Sequence, residues 1–279
     1  MSAEAAIISD AVHPKTSGSM LDFHPHGPAL RASRLSKSYG GLQALRSMDL
    51  ALPRGRITGL IGPNGAGKTT LLNIISGVER ASGGKVELLG RDITGLPPHR
   101  LAALGLVRTF QICRDLGNLT VLENLLVARP RQRGESLTGL LLRGGSVRQD
   151  EEAGIEEARE VLERVDLWRL ADAPAASLSG GQKKLLELCR ALMLDPEVVL
   201  LDEPAAGVAP AMEAVLIDAI RSLMKRGLTF LIVEHDLDVV AALCDHVYVM
   251  AAGQLLTEGA FDEVVSDPRV LEAYLGIKA

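Results

Sequence analysis

The chain contains no long hydrophobic run, although 47% of its 279 residues are apolar. Its strongly apolar runs are short, and Val198–Leu201 and Phe230–Val233, for example, are four residues long. A membrane-spanning helix needs about 18–20 consecutive apolar residues. The sequence therefore predicts that the chain does not cross a membrane by itself. Runs of four residues are instead typical of buried strands.

Aromatic and cysteine residues are also scarce. Four Phe, three Tyr and one Trp are too few for the clustered stacking platform that binds single-stranded nucleic acid. The net charge of −5 disfavours a surface that coats DNA. The three cysteines, Cys113, Cys189 and Cys244, form no CxxC pair and indicate neither a disulfide framework nor a zinc site. We therefore expect no nucleic-acid partner and a reducing, cytoplasmic setting.

The order of patterns along the chain indicates one folded unit after an N-terminal extension. Residues 1–29 have no basic segment followed by an apolar one, so they do not match a secretory signal. Their Ser, His, Pro and Gly content predicts a flexible extension. From residue 30 onward, short apolar strands alternate with helical patterns, which favours an α/β fold with a mostly parallel sheet. The Arg- and Gly-rich stretch 129–148 predicts a loop or an exposed insertion.

The most specific motif is a glycine-rich loop between a predicted strand, 56–61, and a predicted helix, 68–77. It fits the pattern G-x-x-x-x-G-K-[ST] throughout. Glycines let backbone N–H groups surround a phosphate, and the helix that follows offers the positive end of its dipole. Lys68 is expected to bridge two phosphates, and the Thr69 hydroxyl to ligate Mg²⁺. The candidate phosphate-binding residues are Gly62, Pro63, Asn64, Gly65, Ala66, Gly67, Lys68, Thr69 and Thr70.

A second motif places two acids, Asp202 and Glu203, directly after the apolar run 198–201. Ligands of open α/β sheets bind at the carboxyl ends of the strands. Asp202 is therefore expected to hold Mg²⁺ through water, and Glu203 to polarise an attacking water. On its own this pattern also fits a helix N-cap.

A third motif is Ser179, Gly180, Gly181 and Gln182, preceded by Leu178. Ser179 is a good N-cap for a helix that starts at about Gly181, and a serine with two glycines at a helix start is also an anion site. The chain therefore carries two predicted phosphate-binding helix starts.

Together these motifs resemble the nucleotide-binding subunits of ATP-binding cassette transporters, and Leu178–Gln182 matches that family's signature motif. The resemblance implies a P-loop NTPase cassette that hydrolyses ATP with Mg²⁺. It implies a head-to-tail dimer in which the signature residues, Ser179 to Gln182, bind the ATP of the partner chain. The partner cassette would be a second copy or a different subunit.

Three further residues acquire roles only through the resemblance. Tyr39 occupies the position of the aromatic residue that stacks on adenine. Gln111 resembles the glutamine that senses Mg²⁺ and the attacking water, and His235 resembles the histidine that contacts the γ-phosphate. The implied catalytic residues are thus Glu203, His235 and Gln111, with Thr69, Gln111 and Asp202 around the metal.

The family resemblance also implies an architecture over residues 30–279. A RecA-like nucleotide-binding core and an antiparallel β subdomain are expected from residues 30–111 and 178–279. A mostly helical signature subdomain is expected from residues 112–177, with an insertion at 129–149.

Finer details resemble the cassettes of branched-chain amino acid importers, notably Val107–Gln111, Leu119–Ala128 and the tail Ala273–Gly276. Two segments, the loop 205–210 and the signature, depart from that pattern. The loop 205–210 has Ala209 where this subfamily usually has Asn, and Pro210 where most other cassettes have Asp. Gly180 stands where the subfamily often has an aromatic residue.

The expected function is therefore to power the import of a small polar solute through separate membrane permease subunits. The implied cargo is a branched-chain amino acid or a related amino acid or amide, delivered by an extracytoplasmic solute-binding protein. The chain is expected on the cytoplasmic face of the plasma membrane as a peripheral subunit. Alternatives are a cassette for a lipid or lipopolysaccharide exporter, a soluble non-transport cassette ATPase, and a cassette that binds ATP without hydrolysing it.

Overall fold

The computed structural model describes residues 27–109, 116–130 and 144–275. Most of the predicted flexible extension and most of the predicted insertion lie outside these ranges. Gln111 also lies outside them. The strands are β1 (Leu30–Tyr39), β2 (Leu42–Leu52), β3 (Ile57–Ile61), β4 (Gly83–Leu88), β5 (Arg91–Asp92), β6 (Leu106–Arg108), β7 (Val198–Asp202), β8 (Thr229–Val233), β9 (His246–Ala251) and β10 (Gln254–Gly259).

Helices alternate with these strands over most of the chain. They are α1 (Lys68–Ile75), α2 (Pro98–Ala103), α3 (Val121–Ala128), α4 (Gly144–Glu163), α5 (Gly180–Leu192), α6 (Pro210–Lys225), α7 (Leu237–Leu243), α8 (Phe261–Val265) and α9 (Pro268–Leu275), with 3₁₀ turns at Trp168–Leu170 and Ala175–Ser177. Within the described ranges, no helix combines the length and the apolar character needed to cross a membrane.

A six-stranded sheet in the order β10-β9-β3-β8-β7-β6 forms the centre of the fold. Five of its strands run parallel, and β10 pairs antiparallel with β9. Every residue of β3, β7 and β8 is buried, as expected for parallel strands that helices cover on both faces. The prediction of an α/β fold with a mostly parallel sheet is confirmed.

A second sheet, in the order β2-β1-β4-β5, is entirely antiparallel. Its β1 and β2 contribute buried Leu35, Leu45 and Met48 to a core that they share with α1 and with one face of the central sheet. The opposite face of the central sheet packs against α5, α6 and the helices before them. The glycine-rich loop therefore lies between the two sheets.

Three short elements and one boundary differ from the sequence prediction. The sequence does not predict β5, α2 or β6, because segments of two, six and three residues are too short to show a periodic pattern. For the last residues of the stretch 129–148 the loop alternative is wrong, since α4 already begins at Gly144. The later turns of α4 pack through Ala158 and Leu162. That packing allows the helix to extend backward through residues of low helix propensity, because adding a turn costs less than starting one.

Candidate nucleotide-binding site

The carboxyl ends of three neighbouring parallel strands, β3, β8 and β7, meet at one edge of the central sheet. The P-loop, Gly62–Thr69, follows β3, and Glu234 and His235 follow β8. Asp202 ends β7, and Glu203 comes directly after it. This parallel order is what brings together residues that are far apart in sequence, and it places them where open α/β sheets bind ligands.

The P-loop needs its glycines for backbone shape and for close packing. Gly67 is the N-cap of α1 in a left-handed conformation, with a φ of 100°. A Cβ added at Gly67 would lie 2.8 Å from the carbonyl oxygen of Ala44, and one at Gly62 would lie 2.2 Å from that of Met250. No side chain caps α1 among the described residues, so the N–H groups of its first turn are left for a ligand.

The first turn of α1 faces a cavity of about 370 Å³. Residues Asn64 to Thr70 line it from one side and Glu203 lines it from another. Lys68 reaches back over the loop, and its Nζ donates to the carbonyl oxygens of Gly62 at 2.5 Å and Pro63 at 3.2 Å. Burial lowers the pKa of Lys68, while the nearby carboxylates of Glu203 and Asp202 oppose that shift.

Asp202 and Glu203 are adjacent but sit in different environments. The Asp202 side chain is 9% exposed and the Glu203 side chain 28% exposed. Glu203 has a φ of 49°, a left-handed conformation that costs a non-glycine residue about 1–3 kcal/mol. Its backbone N–H donates to the carbonyl oxygen of Val233 at 2.9 Å, which holds this turn against the end of β8. The strained turn directs Glu203 out of the strand and into the cavity wall.

His235 lies beside Glu203, with 3.9 Å between its Nδ1 and Oε1 of Glu203. The distance exceeds that of a hydrogen bond, and catalytic contacts are often this long before substrate binds. The backbone of His235 is held by Glu234, whose carboxylate is buried. Glu234 accepts from the N–H of Ala205 at 2.9 Å and from the N–H of His235 at 3.2 Å.

The signature residues Ser179–Gln182 are not among those that line the P-loop cavity of the same chain. Ser179 is the N-cap of α5, where its Oγ accepts from the N–H of Gln182 and the Gln182 side chain accepts from the N–H of Ser179. Ser179 and Gly180 are exposed. Ser179 Oγ acts as an acceptor in this contact, and a serine hydroxyl that accepts one hydrogen bond can still donate one to an anion.

Tyr39 ends β1 at the other side of the P-loop helix. Tyr39 is 45% exposed, and Nζ of Lys37 lies 4.9 Å from the centroid of its ring. Its hydroxyl donates to Glu79, and this hydrogen bond is the main reason that the pKa of Tyr39 is raised. A side-chain contact with Thr70 opposes that shift. Tyr39 thus lies near the P-loop with an accessible ring, and its contact with adenine is still a prediction. Gln111 is outside the described residues.

The donor set fits a nucleotide and its divalent metal ion. Backbone N–H groups at the uncapped start of α1 and a half-buried ammonium suit phosphate oxygens. A threonine hydroxyl and a single carboxylate, Thr69 and Asp202, are oxygen ligands of the kind that Mg²⁺ accepts beside substrate phosphates. Thr69 lines the cavity, which is open to solvent, together with other residues of the loop.

The sequence did not single out Arg108, Asn73 or Glu234 for a role at this edge. Arg108, at the end of β6, forms a buried ion pair with Asp202. Asn73, on α1, contacts Arg108 in turn. No local pattern marks these residues, because each contact joins elements that are distant in the chain. Arg129, the first residue of the Arg- and Gly-rich stretch, pairs with Asp150 and Glu157 of α4.

Comparison with known proteins gives one consistent result. The profile of the ABC transporter family matches residues 45–206, and a profile described as branched-chain amino acid ATP-binding cassette transporter matches residues 254–278. A probable branched-chain amino acid transport ATP-binding protein LivG of Archaeoglobus fulgidus is 46% identical over 88% of this chain and 95% of its own length. The high-affinity branched-chain amino acid transport ATP-binding protein BraF of Pseudomonas aeruginosa is 38% identical over 89% of this chain and 98% of its own length.

Solved structures agree with the sequence relatives. The crystal structure of a nucleotide-free ATP-binding cassette from an ABC transporter superposes with a TM-score of 0.78 at 40% identity, over 90% of this chain and all of that one. An ATP-binding cassette in its ADP conformation gives the same TM-score and identity. The predicted cassette fold and the predicted family are confirmed. This chain belongs to the ABC transporter family and is one of its ATP-hydrolysing cassette subunits.

Proposed function

We propose that this chain powers the import of branched-chain amino acids, or of a related amino acid or amide, through separate membrane permease subunits. The relatives described above are named as branched-chain amino acid transport proteins, and the match of residues 254–278 to a branched-chain transporter profile supports the same subfamily. The observation that carries the ATPase mechanism is the convergence of Lys68, Asp202, Glu203 and His235 at one sheet edge.

In this proposal the P-loop N–H groups and Lys68 bind the β- and γ-phosphates of ATP. Thr69 and Asp202 hold Mg²⁺, which when bound adds positive charge against the phosphates. Glu203 accepts a proton from the attacking water or orients it, and His235 contacts the γ-phosphate beside it. Electrostatic stabilisation and positioning account for most of the catalysis in phosphoryl transfer.

The proposed unit of hydrolysis is a pair of cassettes. Ser179 and Gly180 are exposed and lie outside the P-loop cavity of their own chain, which supports a role at the ATP of a partner. Each ATP would then lie between the P-loop of one chain and the signature residues of the other. The partner is a second copy of this chain or a different cassette.

The proposed location is the cytoplasmic face of the plasma membrane, where the cassette docks on its permease. A solute-binding protein outside the membrane would deliver the cargo to the permease and would not contact this chain. Gln111 and the segment after it would carry the motion to the permease.

Reconstitution tests this proposal. The tagged chain is purified from solubilised membranes together with its permease subunits, placed in liposomes, and assayed for ATP-dependent uptake of labelled leucine on addition of its binding protein. We expect uptake with the wild-type chain and none with Glu203→Gln at equal amounts of assembled complex. Recovery of an ATPase-active chain without any integral membrane partner would contradict the transport role.

A further inference from the structure

A continuous set of hydrogen bonds connects the P-loop helix with the carboxylate at the end of β7. The guanidinium of Arg108 donates from Nη2 to Oδ2 of Asp202 at 2.8 Å. From Nη1 it donates to Oδ1 of Asn73 at 2.7 Å and to Oγ of Ser76 at 3.1 Å. Arg108 therefore has one set of contacts on α1 and another on β7.

This ion pair is almost completely removed from solvent. The side chains of Arg108 and Asp202 are 8% and 9% exposed. Burying an ion pair contributes little net stability, because desolvation offsets the attraction. The planar fork of arginine, however, fixes the orientation of a carboxylate in a way that a lysine ammonium does not. The geometry thus favours a role in orienting Asp202 over a role in holding the fold.

The set of contacts continues past Asn73 to the surface. Nδ2 of Asn73 donates to Oε1 of Glu79 at 2.9 Å, and Oε2 of Glu79 accepts from the hydroxyl of Tyr39. Nζ of Lys37 lies 3.6 Å from the same oxygen, Oε2 of Glu79. Asn73 is therefore held from both sides, by Arg108 and by Glu79, so its own side chain is fixed.

We propose that Arg108 is a positioning residue for the metal site. By holding Oδ2 of Asp202 it sets the orientation of that carboxylate and leaves Oδ1 to serve a metal-bound water, and Asn73 fixes Arg108 in turn. The inference rests on the proposed binding of Mg²⁺ at Asp202. Residues that hydrogen-bond a metal ligand change metal affinity by about 10–100-fold when they are removed.

The test compares Arg108→Met, Arg108→Lys and Asn73→Ala with the wild-type chain. Arg91→Met serves as a matched control, because Arg91 is an exposed arginine on β5. Two quantities are measured for each: the affinity for ATP with and without Mg²⁺, from a fluorescent ATP analogue, and the Mg²⁺ concentration that gives half-maximal hydrolysis. Thermal unfolding reports whether each variant folds.

We expect Arg108→Met to leave the metal-free ATP affinity within about twofold and to raise the half-maximal Mg²⁺ concentration at least about tenfold. Arg108→Lys should recover part of that loss, since it keeps the charge, and Asn73→Ala should raise the Mg²⁺ requirement several-fold with the KM for ATP at saturating Mg²⁺ nearly unchanged. The control should match the wild type.

The contrary results are distinct. A wild-type Mg²⁺ requirement in Arg108→Met, or a parallel loss of metal-free ATP binding, would overturn the positioning role. If Arg108→Met does not fold, Asn73→Ala decides, because it leaves the Arg108–Asp202 pair in place, and an unchanged Mg²⁺ requirement in that variant overturns the proposal. A wild-type chain whose hydrolysis does not depend on Mg²⁺ would instead contradict the proposed function itself.

Discussion

Substitution by alanine should have opposite effects on thermal stability at the two glycines of the signature, Gly180 and Gly181. A Cβ added at Gly181 would lie 2.6 Å from Cβ of Met212 and 3.2 Å from Cγ1 of Val208. A Cβ added at Gly180 would meet its nearest atom, the carbonyl oxygen of Gly207, at an ordinary 3.8 Å. Gly180→Ala is therefore the matched control for Gly181→Ala.

The size of the effect follows from these distances. Carbon atoms pack best at about 3.5–4.0 Å, so Gly181→Ala requires α5 and α6 to separate by about 1 Å. Overpacking of this kind costs about 1–3 kcal/mol, and the higher helix propensity of alanine returns at most about 1 kcal/mol. A net loss of about 1–2 kcal/mol corresponds to a decrease in Tm of about 2–8 °C in a chain of this size.

Thermal unfolding of the two variants measures this difference, and ATP hydrolysis of the same samples reports on the signature. We expect Gly180→Ala to unfold at or above the wild-type temperature. Gly181→Ala should unfold several degrees lower and lose hydrolysis, because the shift of α5 moves Ser179 with it. Equal Tm values for the two variants would refute the packing argument.

Three further predictions concern the edge of the central sheet. Ala209 is the N-cap of α6, and its side chain makes no capping hydrogen bond. Ala209→Asn should therefore raise the free energy of unfolding in urea by about 1 kcal/mol. Ala214→Asn, at an exposed position in the middle of α6, should not raise it, and equal effects of the two substitutions would contradict the capping role. Burial raises the pKa of Glu234 above its ordinary 4.5, so the stability it contributes is fully present below about pH 4.5 and declines as the pH rises through its folded pKa. The free energy of unfolding of the wild type should therefore fall relative to Glu234→Gln over that rise, and a pH-independent difference would count against the shift. Lys68→Ala should lose ATP binding in a fluorescent-analogue titration, while Lys85→Ala, at an exposed position on β4, should retain it. Unchanged ATP affinity in Lys68→Ala would exclude the phosphate role.

The P-loop and the central sheet were predictable because their signals are local. The motif Gly62–Thr69 requires a strand before it and a helix after it, and both are visible as short-range patterns. The buried strands β7 and β8 are uninterrupted apolar runs, which indicate a parallel sheet. The alternation of strand and helix then predicts that the strands run parallel, but it does not predict their order in the sheet.

The contacts of the Asp202 carboxylate were not predictable in this way. Arg108 reaches Asn73 across 35 positions and Asp202 across 94, and nothing in the spacing of the three residues links them. The strand that carries Arg108 is only three residues long, so it left no pattern. The left-handed turn at Glu203 is equally invisible in sequence, because a glutamate is not the residue type that such a conformation favours.

Single-turnover hydrolysis by Glu203→Gln tests the central claim most directly. The glutamine amide has the size of the glutamate side chain, but it has no negative charge and cannot accept a proton from water as the carboxylate does. Removing a general base lowers the rate by about 10²–10⁴-fold. With ATP affinity within about twofold of the wild type, we expect the bound ATP to be hydrolysed at least about 100-fold more slowly. Hydrolysis at the wild-type rate would contradict the assignment of Glu203 as the catalytic carboxylate.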